Sequence, residues 1–338
     1  IAIGKILEKN YGMKLQVVPI RNGFSRLIPV QSGDAQIMVT GTDGYFAQEG
    51  AFIFAKEGYG PQRLRLVLYS ENKPGNGPVV AADAGIKTWS DIKGKRVAFV
   101  QGSAAPAKVV ECVLAFAGYD WSDVIRVPVS SWSDGHDAII NGQADVAPAN
   151  IISASVERVA SSPRGVYWPE TPHDDTEGWK RLKEVTPYMQ RQVISSGIGI
   201  EDGEERELIG YGYPEWLTYE DYDADVIYNL VKAVDESYDQ IDASAPRAEG
   251  YDWDKQQTMK PWPWHDGVVR YFKEKGLWDE EAQPHHEKLL RRQDVLEDAW
   301  ESFILGDVPK DEEEFAIEWG KIRAKKLSEA GLDVIYED

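Results

Sequence analysis

The sequence predicts an α/β protein of two lobes, the first discontinuous and the second inserted into it, with a ligand cleft and a helical C-terminal extension. Three observations carry this. Short β-branched runs alternate with helical patterns through the first two thirds of the chain, the mark of mostly parallel sheets flanked by helices. An extended polar crossing at Ala82–Ser90 leaves one such run and opens another. Three apolar stripes at helical spacing then fill the last third. Lobe one is expected at residues 1–84 plus 203–338, with the last segment holding its return and the C-terminal helices, and lobe two at residues 85–202.

Taken in order, Ile3, Ile6 and Leu7 fall on one helical face between Lys5, Glu8 and Lys9, as though a helix had begun upstream, and an incomplete N-terminus is expected. Lys14–Ile20, Gln36–Thr40, Leu64–Ser70, Pro78–Ala82, Arg96–Val100, Ile125–Ser130, Ala144–Ala149 and Val166–Trp168 read as strands. In the crossing, Thr88 ends the polar stretch, Trp89–Ile92 is a short helix, and Gly94 turns the chain into the strand Arg96–Val100. Ile194–Ile200 and Gly210–Tyr219 read as two further strands, joined across the acidic turn Glu201–Glu207, where the chain returns to lobe one. The helical stripes are Ile227, Leu230, Val231, Val234, Tyr238 and Ile241; then Leu289, Leu290, Leu296, Ala299, Trp300 and Phe303; then Phe315, Trp319, Ile322 and Leu327.

A length of 338 residues fits about two domains. Hydrophobic residues at 42% and charged residues at 28% describe an ordered chain. Lys plus Arg number 37 against 57 Asp plus Glu, a net charge of −20, which excludes nucleic acid as a natural partner. No apolar run approaches the roughly 20 residues of a membrane span. The single cysteine, Cys112, lies in the helical pattern Val109, Val110, Val113, Leu114 and reads as a buried structural thiol.

Four strand-to-helix junctions carry small hydroxyl or amide residues. They are Arg21-Asn22-Gly23-Phe24-Ser25, Thr40-Gly41-Thr42-Asp43, Gln101-Gly102-Ser103-Ala104 and Ser130-Ser131-Trp132-Ser133. Ordinary N-capping accounts for any one of them; four, drawn from both lobes, suit an anion held by helix amides. Enzyme motifs are missing. Gly23-Phe24-Ser25-Arg26-Leu27 lacks the second glycine of a nucleophile elbow, and Gly197-Ile198-Gly199 lacks the third of a dinucleotide fingerprint. Asp221-Tyr222-Asp223-Ala224-Asp225 has Val226 where a calcium loop needs glycine, and His285-His286 has no further ligand at zinc spacing. Trp216, Tyr219 and Tyr222, with Trp262 and Trp264, either line a pocket or pack the C-terminal helices.

Three passages resemble the TAXI-type substrate-binding proteins of tripartite ATP-independent periplasmic (TRAP) transporters. They are Ile28-Pro29-Val30-Gln31-Ser32-Gly33-Asp34-Ala35-Gln36-Ile37 with the Thr40–Asp43 junction, Ile86–Gln101 with Asn141–Asp145, and Pro261-Trp262-Pro263-Trp264-His265-Asp266-Gly267 with the following helix. That family's Ser-Gly-Thr turn is here Gly102-Ser103-Ala104, and its Gly-rich first turn would lie before Ile1. The resemblance implies a type II periplasmic-binding-protein fold and a non-catalytic, extracytoplasmic receptor, monomeric and without cofactor or metal. Such a receptor delivers a small solute to integral membrane TRAP permease subunits. The alternatives are an ABC-type solute receptor and an enzyme on the same fold using His136 or His173.

The expected ligand is a small carboxylate or similar anion. The residues expected to line its site are Arg21, Asn22, Gly23, Ser25, Thr40, Gly41, Thr42, Gln101, Gly102, Ser103, Ser131, Trp132, Asn150 and Tyr213. Arg21 is central, because a guanidinium at a strand's carboxyl end can grip a carboxylate through two parallel hydrogen bonds. A surface ion pair is the other reading of Arg21.

Overall fold

The computed structural model describes residues 2–20, 23–73, 75–101, 103–244 and 248–336. The chain divides into two compact units: unit one is Ile1–Asn72 with Gly212–Asp338, and unit two is Lys73–Tyr211. Unit one begins with α1 (Ala2–Tyr11), α2 (Gly23–Gln31), β1 (Met38–Thr40), α3 (Asp43–Glu49) and β2 (Leu64–Tyr69). Unit two follows with β3 (Asn76–Ala81), β4 (Arg96–Val100), α4 (Ala104–Phe116), β5 (Ile125–Val129), α5 (Trp132–Ile140) and β6 (Val146–Asn150). Next come α6 (Ala154–Ala160), β7 (Val166–Tyr167), α7 (Thr176–Val185), β8 (Gln190–Ile194) and β9 (Arg206–Gly210). The return to unit one adds β10 (Glu215–Tyr219), α8 (Ala224–Glu236), α9 (Tyr238–Asp242), α10 (Asp266–Glu274), α11 (Ala282–Ile304) and α12 (Glu312–Glu329).

In unit two a five-stranded sheet has the order β5-β4-β6-β3-β7, and β8 pairs with β9 in a separate hairpin. Strand β4 is parallel to β5 and β6, while β3 runs antiparallel to β6 and β7. The sheet is mixed where the sequence suggested mostly parallel pairing; β3 is buried along its whole length, and β3 after Asn76 and β6 before Asn150 carry only small apolar residues. The core under them holds Val79, Ile139, Val156, Trp168 and Leu208. The Asn141–Asp145 turn is tied to β4: Asp145 accepts from Arg96 at 2.6 and 3.0 Å and from Arg164 at 3.1 Å.

Unit one has a three-stranded sheet of order β1-β10-β2, with β10 antiparallel to both neighbours. The Pro261–Trp264 segment runs beside β2: Pro263 O accepts from Leu66 N at 2.9 Å, and Leu66 O accepts from His265 N at 3.0 Å. Proline suits such an edge because it need donate nothing. Trp262 and Trp264 are 1% exposed, so they are core residues. The C-terminal helices build their own aromatic core, with Trp300 edge-on to Trp319 at 4.8 Å and Phe303 and Phe315 around them.

Several expectations are corrected. Lys14–Ile20 takes no regular secondary structure; Val17 and Val18 are 60% and 62% exposed. β-Branched composition makes a strand only where a ladder partner exists, and among the described residues none pairs with it. The strand placed at Ile194–Ile200 lies earlier, at Gln190–Ile194, because Gly197 and Gly199 take positive φ values of 149° and 79° that end it. The run Gly210–Tyr219 is two elements, β9 ending at Gly210 and β10 starting at Glu215, split by Gly212 and Pro214. The acidic turn Glu201–Glu207 therefore leads into the second strand of the β8–β9 hairpin within unit two.

The unit boundaries lie at 72/73 and 211/212 in place of 84/85 and 202/203. The reason is hydrogen bonding: β3 is laddered to β6 and β7, and β9 to β8, so both belong to unit two. Among the described residues no helix is long and apolar enough to cross a membrane.

Candidate functional site

In unit two the predicted residues gather at one sheet edge. Val100 and Val129 are register partners at the carboxyl ends of β4 and β5, and Asn150 ends β6 opposite Asn76. Gln101 is exposed, and its N donates to Val129 O at 3.0 Å. Ser103 is the N-cap of α4 but makes no capping bond with its hydroxyl, which is exposed. Ser131 caps α5, accepting from Asp134 N at 3.2 Å, and Trp132 opens that helix half-buried. Asn150 donates to Asn76 Oδ1 at 2.5 Å and accepts from Ile152 N at 3.1 Å. The side chains of Ser131 and Asn150 are thus engaged locally, while Ser103 and the first amides of α4 face no capping side chain. Gly102 lies outside the described residues.

In unit one, Arg21 and Asn22 also lie outside the described residues. Gly23 and Ser25 fall in the first turn of α2. Thr40 ends β1 and is fully buried; Gly41 and Thr42 follow, Thr42 buried and preceding α3 without a side-chain cap bond. Tyr213 is 44% exposed, and its backbone is held twice by the Asn72 side chain, at 2.7 and 3.2 Å.

Sequence reasoning missed the residues around Thr40. Thr40 pairs in register with Glu215, and Glu215 with Tyr69, so the three side chains form one row across the sheet at the carboxyl ends of β1 and β2. Glu215 is 0% exposed, and neither carboxyl oxygen has a hydrogen-bond partner among the described residues; Thr40 Oγ1 and Ser70 Oγ are alike in this. Burial holds the Glu215 carboxyl well above the usual carboxylate range; Asp43 pushes the same way and Lys260 opposes. Asp43 is itself raised by burial, against the pull of Arg26. Lys260, buried, has its Nζ 2.5 Å from Glu71 Oε1 and 4.0 Å from the Tyr69 ring centre, and burial lowers its pKa. The only signal was Glu215 two residues before Leu217 in an apolar strand pattern, and the register shift between Trp216 and Leu217 blurs that alternation further along β10.

The two histidines considered for acid–base work are occupied. His136 is buried, with Nδ1 2.9 Å from Ser155 Oγ and Nε2 3.0 Å from Pro148 O. His173 Nε2 lies 3.2 Å from Leu208 O. Burial pushes the Cys112 thiol up, and its Sγ lies 3.1 Å from Val109 O. Among the described residues no group of three or more His, Cys, Asp or Glu is placed to hold a metal ion. A surface groove of about 520 Å³ lies at the other end of unit one's sheet, lined by Gln31, Gln36, Gln62, Tyr219 and Tyr222; none of the predicted site residues borders it.

No curated protein sequence matches this chain. Among solved structures it is similar to the periplasmic aliphatic sulphonate binding protein SsuA of Escherichia coli (19% identity, 74% of this chain and 75% of that one, TM-score 0.47). It is also similar to a putative sulfonate ABC transporter's periplasmic binding protein from Methylobacillus flagellatus (14% identity, 100% and 81%, TM-score 0.44). A third is PhnD1 of Prochlorococcus marinus in complex with methylphosphonate (12% identity, 82% and 91%, TM-score 0.41). All three are distant in sequence and in shape. Residues 1–276 match the NMT1-like family, and the chain belongs to that family.

Proposed function

We propose that this protein is an extracytoplasmic solute-binding protein, without catalysis of its own, that captures a small organic anion and hands it to a membrane importer. The observation that carries the reading is the carboxyl edge of unit two's sheet. There β4 and β5 end level with each other, and among the described residues α4 begins without a side-chain cap, beside an uncommitted Ser103 hydroxyl, while Ser131 caps the start of α5. Such an edge offers hydrogen-bond donors and a positive dipole end to a carboxylate, sulfonate or phosphonate. The occupied His136 and His173 side chains favour binding over acid–base chemistry.

The ABC-type importer stands first, with the matched family behind it. The TRAP version rests on the likeness of the Pro261–Gly276 passage to TAXI-type receptors. Genes adjacent to this one discriminate: an ATPase subunit supports the first, a large multi-span permease without ATPase the second.

Arg21 is kept in the proposal as the residue gripping the anion. Thermal-shift screening against carboxylates, sulfonates and phosphonates tests the reading, since ligand at 100 times its Kd adds about 2.7 kcal/mol to the folded state. With the ligand in hand, Arg21→Ala weakens binding by about ten- to a hundredfold, as loss of a charge-assisted contact costs roughly 1.5–3 kcal/mol. No shift with any anion of the screen rejects the receptor reading.

A further inference from the structure

We propose that Glu215 is a proton-operated latch on the carboxyl edge of unit one's sheet, closed when its carboxyl is neutral and loosened when it ionises. This goes beyond solute binding and is tested without any solute. The geometry leaves little choice of state. Glu215 stands between Thr40 and Tyr69, has no access to water, and has no donor on either oxygen among the described residues. An ionised carboxylate would need such donors, since burying an unpaired charge costs far more than burying a neutral polar group.

The charged groups acting on it come from two sides. Asp43 at the start of α3 repels a negative charge there, and Arg26 is drawn to Asp43. Lys260 attracts a charge on Glu215 but is taken up by Glu71 at 2.5 Å, over the Tyr69 ring. Tyr69 also ties the edge together, its hydroxyl accepting from Gly212 N at 2.7 Å. Ionisation of Glu215 would force water into this row. It would strain Thr40, Tyr69 and the start of β10 together, next to Gly41 and Thr42, which follow β1, and Tyr213, which precedes β10.

Two measurements test this. In chemical unfolding followed by fluorescence, Glu215→Gln keeps the shape of the neutral acid and removes its titration. The unfolded chain ionises Glu215 at its ordinary value while the folded chain does not. The folding constant of E215Q relative to wild type therefore rises about tenfold per pH unit from about pH 5 upward and levels off once folded Glu215 ionises. Infrared spectra of wild type labelled with ¹³C-carboxyl glutamate, which excludes Asp43, show one glutamic acid still protonated at pH 7, and E215Q lacks it. A ratio that is flat or falls with pH overturns the proposal. So does a wild-type spectrum in which every glutamate is ionised at pH 7, a result that holds even if E215Q fails to fold.

Discussion

Glu49 and Arg292 form a buried, doubly hydrogen-bonded ion pair, Nε to Oε1 at 2.7 Å and Nη2 to Oε2 at 2.6 Å, with Glu49 at 0% exposure. The pair fastens α11 to α3. Arg323 of α12 adds a longer contact to Glu49 at 3.4 Å and donates to the carbonyls of Ile335 and Tyr336. Removing one partner leaves a buried charge uncompensated, which costs about 3–5 kcal/mol. Glu49→Gln is expected to destabilise unit one by that amount, and the double variant Glu49→Gln/Arg292→Met by less than the sum of the two singles. Urea unfolding of the three variants checks it; additive losses would show that the pair is not coupled.

Trp319 is the centre of the C-terminal aromatic core, 0% exposed, with Nε1 donating to Gly50 O at 2.7 Å. Trp319→Ala should cost about 3–5 kcal/mol through the cavity it leaves. Trp319→Phe keeps most of the packing and should cost markedly less. Equal melting temperatures for the two variants would contradict this.

His286 predicts an acid limb. It is 6% exposed, burial and then Arg65 hold it at about 4, and its Nδ1 has no partner among the described residues. The folded value lies below the ordinary one, so the unfolded chain binds the proton first and stability falls as pH drops from about 6.5 toward 4. Above that window His286 is neutral in both states and contributes no slope. His286→Gln should flatten the decline in melting temperature between pH 6.5 and 4; an unchanged slope would remove His286 from the account.

Thr40 separates a structural from a binding role. Its hydroxyl is buried with no partner among the described residues, so Thr40→Val keeps the shape and should leave stability level or raise it by up to about 1 kcal/mol. Ser131→Ala, by contrast, removes a real cap and should cost about 1 kcal/mol. A loss at Thr40 larger than that at Ser131 would mean that the Thr40 hydroxyl is paired in solution.

What the sequence determined by itself was local. Short β-branched runs placed β4 at Arg96–Val100 residue for residue, and helical stripes marked α8, α11 and α12, because local composition and spacing survive in the primary order. The short helix Trp89–Ile92 was legible because its capping chemistry is local, the Asp91 carboxylate accepting from Thr88 N at 2.9 Å and from Thr88 Oγ1 at 3.1 Å, but the segment lies within unit two and is no passage between units. Tertiary structure decided what depends on partners distant in sequence. Lys14–Ile20 has strand composition but no ladder neighbour among the described residues, and β3 belongs to unit two because β6 and β7 pair with it. Glu215 looks in sequence like one acid among many. Register with Thr40 and Tyr69, set by strands well over a hundred residues apart, makes it a buried acid with no donor among the described residues. Burial of a charge is a property of everything packed around it, and no window of the sequence contains that.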